Sequence, residues 1–219
     1  LHRLGTQQST DELVYEEKDE TFSVGVGRTK SKKYLLIYTG SNDENQVYLL
    51  DAQSPNVGKK LFLPRMQGHQ YGLTHVGDAF YISSNQDAPN FQLFTTSDRN
   101  WGQKDWDLLI PHNPKRLLEG FQVFDNHIVI LEKENAQNYM SILNLTTRNK
   151  KALKFGNNPH VISLRANPDP GTESFRFSYE DPLTPPVVYG YKFETGEKTV
   201  INATKVQGFY DAKEYKMKK

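Results

Sequence analysis

Cysteine is absent from this chain of 219 residues. That excludes a disulfide framework, thiolate metal sites and cysteine nucleophiles, and it fits a reducing cytoplasmic setting. An excess of one charge is missing as well. Lys and Arg total 27 against 26 Asp and Glu, a net charge of +1. With no long basic run either, the chain lacks the electrostatic footprint of a nucleic-acid or membrane-surface partner. No apolar stretch approaches the roughly 18 residues that span a bilayer. Helical periodicity is nearly missing, its best candidates being Lys115 to Glu119 and the last ten residues. Leu1-His2-Arg3 carries neither an initiator Met nor a signal-peptide apolar region, so an upstream segment is expected.

What is present is a repeat. Hydrophobic residues make up 36% and aromatics 12% of the chain, enough for a sizeable core. Apolar, β-prone runs begin at Tyr34, Phe80, Ile128 and Phe175, which are 46, 48 and 47 residues apart. A second series begins at Val47, Phe91, Tyr139 and Val188, at spacings of 44, 48 and 49. A third follows polar turns at Leu61, Leu108, Ala152 and Thr199, the last two after Thr147-Arg148-Asn149-Lys150 and Thr195-Gly196-Glu197-Lys198. One further strand precedes each doublet, at Phe22 to Gly27, Gln70 to His75, Gly120 to Phe124 and Val161 to Arg165.

Four strands at a period near 46 predict an all-β fold, an incomplete β-propeller of about four four-stranded antiparallel blades plus part of a fifth. The blades are expected at 22–63, 70–110, 120–155 and 161–201, within a partial propeller over 1–205. Leu13-Val14-Tyr15 precedes Leu61 by 48 and reads as the outer strand of a preceding blade within 1–15. An all-β sandwich with coincidental spacing is the competing reading. A blade needs cover on both faces, so its second strand should be apolar throughout, as Ile128 to Leu131 is. An open arc would leave two blade faces bare, and self-association through them is expected.

The search for chemistry returns no catalytic, cofactor-binding or metal-ligating residue. The G-x-S-x-G nucleophile elbow is missing. Gly25-Val26-Gly27 begins like a dinucleotide fingerprint but lacks its third Gly and its helix, and reads as a strand entering a turn. The histidines at 2, 69, 75, 112, 127 and 160 lack the spacing of a zinc site, and His127 reads as a structural imidazole. Glu16-Glu17 and Glu132/Glu134 are the acidic pairs that acid–base work would use, but Glu16-Glu17 reads as part of a solvated loop. Two glycosylation triplets, Asn144-Leu145-Thr146 and Asn202-Ala203-Thr204, are common by chance. Trp101 and Trp106 read as cover for a blade edge.

Several motifs carry a family resemblance. They are His2-Arg3-Leu4-Gly5-Thr6, Leu13 to Glu20, Phe62-Leu63-Pro64-Arg65 and Leu118-Glu119-Gly120-Phe121. Phe175 to Tyr179, Leu183 to Tyr189, Thr195-Gly196-Glu197, Val206 to Tyr210 and Glu214-Tyr215-Lys216 complete the set. In this order they resemble the propeller of the bacterial oligopeptidase B (protease II) group of the prolyl oligopeptidase family of serine peptidases. The resemblance implies a seven-bladed parent propeller over an α/β-hydrolase domain whose Ser, Asp and His lie downstream. Residues 206–219 would then begin the hinge to that domain. It implies further that the parent cleaves short peptides after Lys or Arg in the bacterial cytoplasm, and that this segment filters oligopeptides without catalysing. Two other readings are a stand-alone propeller scaffold for a protein or peptide, and a sugar-active propeller enzyme. The latter needs carboxylates on the first strands, where the segments above contain none.

Overall fold

The structure is a computed structural model that describes residues 1–156, 158–208, 210–211 and 214–215. Among the described residues sixteen strands form four separate sheets, each with its strands in chain order and every neighbouring pair whose register is defined antiparallel. The first sheet contains β1 (Ser23–Arg28), β2 (Tyr34–Gly40), β3 (Asn45–Asp51) and β4 (Lys60–Leu63). The second contains β5 (Tyr71–Val76), β6 (Ala79–Ser84), β7 (Gln92–Ser97) and β8 (Asp107–Ile110). β9 (Leu117–Val123), β10 (His127–Glu134), β11 (Gln137–Asn144) and β12 (Lys150–Leu153) make the third. β13 (Val161–Leu164), β14 (Ser174–Asp181), β15 (Thr184–Lys192) and β16 (Lys198–Ala203) make the fourth.

The chain divides into two compact units, the first holding the first two sheets and the second the last two. In the first unit, alternate residues of the facing sheets interdigitate: Leu36, Val47, Leu49 and Phe62 from one, Tyr71, Leu73, Phe80 and Ile82 from the other. Trp101 and Trp106 pack on this core, both stacked on Phe62 with ring centroids 6.2 Å away. They cover the blade, as their place beside a turn implies.

In the second unit Val129, Leu131, Met140 and Ile142 meet Ile162, Phe175, Phe177 and Tyr191. Phe175 is fully buried within a ring cluster with Phe124, Phe177, Tyr191 and Phe193. Burial of such a side chain contributes about 2–3 kcal/mol. The second strand of the third sheet is buried on both faces, since Ile128, Val129, Ile130 and Leu131 are all inaccessible or nearly so. Its continuous apolar run has the cause that the sequence implied.

The structure departs from expectation at two places. Leu13-Val14-Tyr15 forms no strand. It reaches the first sheet through side chains instead: Tyr15 lies against Tyr48 at 5.1 Å, and Lys59 Nζ donates to the Val14 carbonyl at 3.1 Å. A strand requires a backbone ladder, and none runs along these residues. Lys115 to Glu119 is not helical, because β9 begins at Leu117 and pairs Leu117 with Lys133. The third blade therefore starts three residues before the expected 120, which puts a carboxylate, Glu119, on a first strand. Lys133 Nζ, 3.1 Å away, and Asn138 Nδ2, at 2.7 Å, already occupy that carboxylate. Half of the expected hinge at 206–219 lies outside the described residues.

The repeat extends to turn geometry. Arg148 N–H donates to the Asn144 carbonyl and Asn144 N–H to the Asn149 carbonyl; 48 residues on, Gly196 and Lys192 make the same two bonds to Lys192 and Glu197. Both turns need a left-handed residue, which is Arg148 at φ 61° and Gly196 at φ 72°. Only glycine adopts that conformation without a steric penalty of about 1–2 kcal/mol. Arg148→Gly should therefore raise stability, by about 0.5–1 kcal/mol after the entropy cost of glycine. Gly196→Ala should lower it by about 1–2 kcal/mol, because the new Cβ would also sit 3.1 Å from the Tyr191 hydroxyl. Urea unfolding of the two variants reads both signs.

Candidate functional site

The most chemically loaded cluster lies in the first unit. Its parts are the β1–β2 turn, which carries Ser31 and Lys33, His75 in β5, and Asp98 just after β7. Ser31 N–H donates to the His75 carbonyl at 2.9 Å, stitching the turn of one sheet to a strand of the next. The His75 ring is completely buried, edge-on to Tyr34 at 5.0 Å and to Phe80 at 4.7 Å. Its Nε2 is 3.2 Å from Asp98 Oδ2 and its Nδ1 is 2.8 Å from Ser31 Oγ. A carboxylate only accepts, so the network assigns the proton to Nε2, and Nδ1 then accepts from the Ser31 hydroxyl. Lys33 Nζ bonds the same Asp98 oxygen.

Each charge state follows from its surroundings. Burial pushes the Asp98 carboxyl up, but the Lys33 ammonium and then His75 outweigh this and hold it below the usual carboxylate range. Burial pushes the His75 imidazolium the other way and prevails over the attraction of Asp98, so His75 is depressed below 6.5. Ser, His and Asp are the residue types of a hydrolytic triad, yet this arrangement is a clamp. Ser31 Oγ also accepts the Lys33 N–H at 3.2 Å and lies 3.0 Å from Thr29 Oγ1, and Ser31 lines none of the clefts described below. With Ser31, His75 and Asp98 all engaged with one another and with the neighbouring turn, the three groups hold one sheet to the next.

A second cluster holds the N-terminal segment to the first sheet. Arg65, two residues beyond β4, bonds Glu17 through Nη2 at 2.7 Å and also reaches the Thr39 hydroxyl. Its guanidinium carbon lies 3.4 Å from the Phe22 ring centre. The Tyr15 hydroxyl donates to Glu17 at 2.9 Å. Arg65 and then Tyr15 hold the Glu17 carboxyl down at about 2. Glu17 is thus a paired, mostly covered carboxylate, where the acidic run reads as a solvated loop. Beside this anchor two clefts of about 440 and 540 Å³ share Thr21, Phe22, Ser41 and Asp43.

The other singled-out residues are engaged elsewhere, and of these only His127 and Asn144, paired across β10 and β11, meet, at 3.3 Å between Nε2 and Nδ2. His69 Nε2 lies 2.8 Å from Ser84 Oγ, and His127 stacks on Phe193 at 4.4 Å. Glu132 pairs with Lys150 at 3.1 Å and Glu134 with Arg116 at 2.8 Å. Asn144 accepts the backbone N–H groups of Thr146 and Thr147. Among the described residues no three His, Asp or Glu side chains gather as metal ligands, and no helix is long and apolar enough to cross a membrane.

Comparison with known proteins then places the four sheets. The family model described as prolyl oligopeptidase, N-terminal beta-propeller domain, matches residues 1–204. This chain belongs to that family. Its sheets are blades of that N-terminal propeller, in a family of serine peptidases whose catalytic domain is a separate one. Dipeptidyl aminopeptidase BI of Pseudoxanthomonas mexicana is 34% identical over 98% of this chain and 29% of its own length. Protease 2 of Moraxella lacunata is 26% identical over 98% of this chain and 31% of its own length. Oligopeptidase B of Trypanosoma brucei, in a closed form with covalently bound antipain, superposes with a TM-score of 0.87 and 26% identity. That superposition covers 97% of this chain and 31% of the other. The chain thus spans about three-tenths of the length of the relatives it matches.

The buried clamp has a pH signature. Between 6.5 and its depressed folded value, His75 binds more protons in the unfolded chain than in the fold, so stability rises with pH through that window. His69 and His127, both lowered by burial, add the same sign. Stability should therefore be full above pH 6.5 and decline as pH falls below it. His75→Gln should cost about 1–3 kcal/mol at neutral pH by leaving Asp98 and Ser31 without their partner, and it should flatten the acid decline. Urea midpoints across a pH series measure both effects.

Proposed function

We propose that this propeller segment filters substrates for a bacterial cytoplasmic serine oligopeptidase that cleaves short peptides after Lys or Arg. The observation that carries the reading is the match of nearly the whole chain to oligopeptidase B in a closed form with bound antipain. Bound inhibitor and closed form together accord with a site enclosed between domains. A narrow entry beside a rigid propeller admits a flexible peptide and excludes a folded protein without chemistry of its own. The described residues support a structural part in this, since their Ser–His–Asp cluster is committed to holding blades together, with His75 and Asp98 buried. A second reading follows from the P. mexicana relative, a dipeptidyl aminopeptidase more identical to this chain than Protease 2 is. On that reading the whole enzyme removes dipeptides from a free N-terminus.

One set of assays separates these readings. The isolated chain should show no turnover of chromogenic Lys or Arg peptides. The whole protein should cleave them with the N-terminus blocked, and should spare a folded protein containing the same sequence. Turnover by the pure chain, or equal rates on folded and short substrates, contradicts the filtering role. A requirement for a free amino terminus selects the dipeptidyl reading.

We also propose that the chain, when isolated, self-associates through exposed strands at its two end blades. Val24 and Val26 of β1 and Val200 and Ile201 of β16 are each about half exposed or more. Apolar residues gathered on sheet surfaces favour association, and sedimentation velocity reads it.

A further inference from the structure

The seam between the third and fourth blades contains two cations where the pattern of the sheets calls for apolar residues. Lys151 stands opposite Ile142 on β11, and Lys198 stands opposite Tyr191 on β15. Ile142 and Tyr191 both belong to the core between these two blades, so register puts Lys151 and Lys198 on the two facing surfaces. The core does not close over them. It opens into a cleft of about 370 Å³ lined by Lys151, Lys154 and Lys198 together with Leu153, Phe155 and Tyr191.

The carboxylates that could neutralise these cations are taken. Glu132 pairs with Lys150, on the opposite face of β12, and Glu197 pairs with Lys192 at 2.7 Å. Among the described residues no ion pair is formed by Lys151, Lys154 or Lys198. Aromatic faces hold two of them: Lys151 Nζ is 6.0 Å from the Tyr191 ring centre and Lys198 Nζ is 4.6 Å from that of Tyr189. The cleft also borders an open sheet edge. β12 pairs only with β11, which leaves one row of its backbone donors and acceptors free for a further strand.

We propose that this cleft binds an extended acidic peptide segment, seated along the free edge of β12. An apolar side chain of the segment would enter between Phe155 and Tyr191, and its carboxylates would meet Lys151, Lys154 and Lys198. Separate ammonium groups on separate strands match carboxylates spaced along an extended chain, in which same-face side chains recur about every 6.6 Å. A single phosphate would call for convergent backbone N–H groups or a guanidinium fork. The Gly196 N–H at this turn is already donated to Lys192, and no Arg lines the cleft. Strand addition provides affinity and the lysines select charge.

Fluorescence anisotropy of the full 219-residue chain with a labelled Asp-Glu-Phe-Glu-Asp-Glu peptide tests this. Saturable binding is expected, weakening as salt is raised. Lys151→Glu with Lys198→Glu should weaken it at least about tenfold, as loss of two charge-assisted contacts implies. Lys151→Gln with Lys198→Gln should weaken it less and leave the melting temperature unchanged, separating loss of charge from loss of fold. Three results each overturn the proposal: absence of saturable binding, equal binding of a Lys-Arg-Phe-Arg-Lys-Arg peptide, or binding untouched by either double variant. Complete displacement by inorganic phosphate at the peptide's own concentration would assign the site to a small anion and overturn it too.

Discussion

Each blade is a four-stranded sheet that must bury its apolar side chains against a neighbouring sheet, on both faces at β10 and on one face at β14, where Phe175 and Phe177 are buried and Arg176 is exposed. The other features of the chain follow from that requirement. It explains why β10 is buried along its length and why Phe80 and Phe175 are wholly inaccessible. In each unit the facing sheets also align their apolar residues in one layer. The polar groups are arranged at the margins of these layers. In the first unit Ser31, His75 and Asp98 lock a turn of one blade to strands of the next, beside the Tyr34 and Phe80 rings. Arg65 ties the N-terminal segment over the first blade. In the second unit the same layer ends at Lys151 and Lys198, and there a cleft opens.

The blades were legible in the sequence because each is local: four consecutive strands, tight turns and a period near 46 residues. Even the turns repeat, with Arg148 and Gly196 in equivalent left-handed positions. Features made between blades were not legible. Ser31 and His75 are 44 residues apart, His75 and Asp98 are 23 apart, and no spacing rule joins them. The Glu17–Arg65 pair was within reach, since its 48-residue separation is one blade period, but an acidic run by itself reads as solvated. Leu13 to Tyr15 shows the limit of periodicity: the apolar spacing is right, yet side-chain packing on β3 replaces a backbone ladder. At β9 the strand already begins with Leu117 and Leu118, whose adjacent apolar side chains do not distinguish strand from helix over so short a run.

In the filtering role proposed above, the propeller would supply a wall to a peptidase without chemistry of its own. The hydroxyl, imidazole and carboxylate most like a triad are bonded to one another within the first unit, with His75 and Asp98 buried, and serve there to join two blades. The family match over residues 1–204 and the coverage of only three-tenths of each relative agree with that division of labour.

The need of the exposed strands of the first and last blades for cover is tested most directly by sedimentation velocity of the isolated chain over a wide dilution series. The account predicts a sedimentation coefficient that rises with concentration. Val200→Lys with Ile201→Lys, on a strand exposed along its length, should suppress that rise without loss of fold. A single compact monomer at every concentration, with β1 and β16 still exposed, would contradict it.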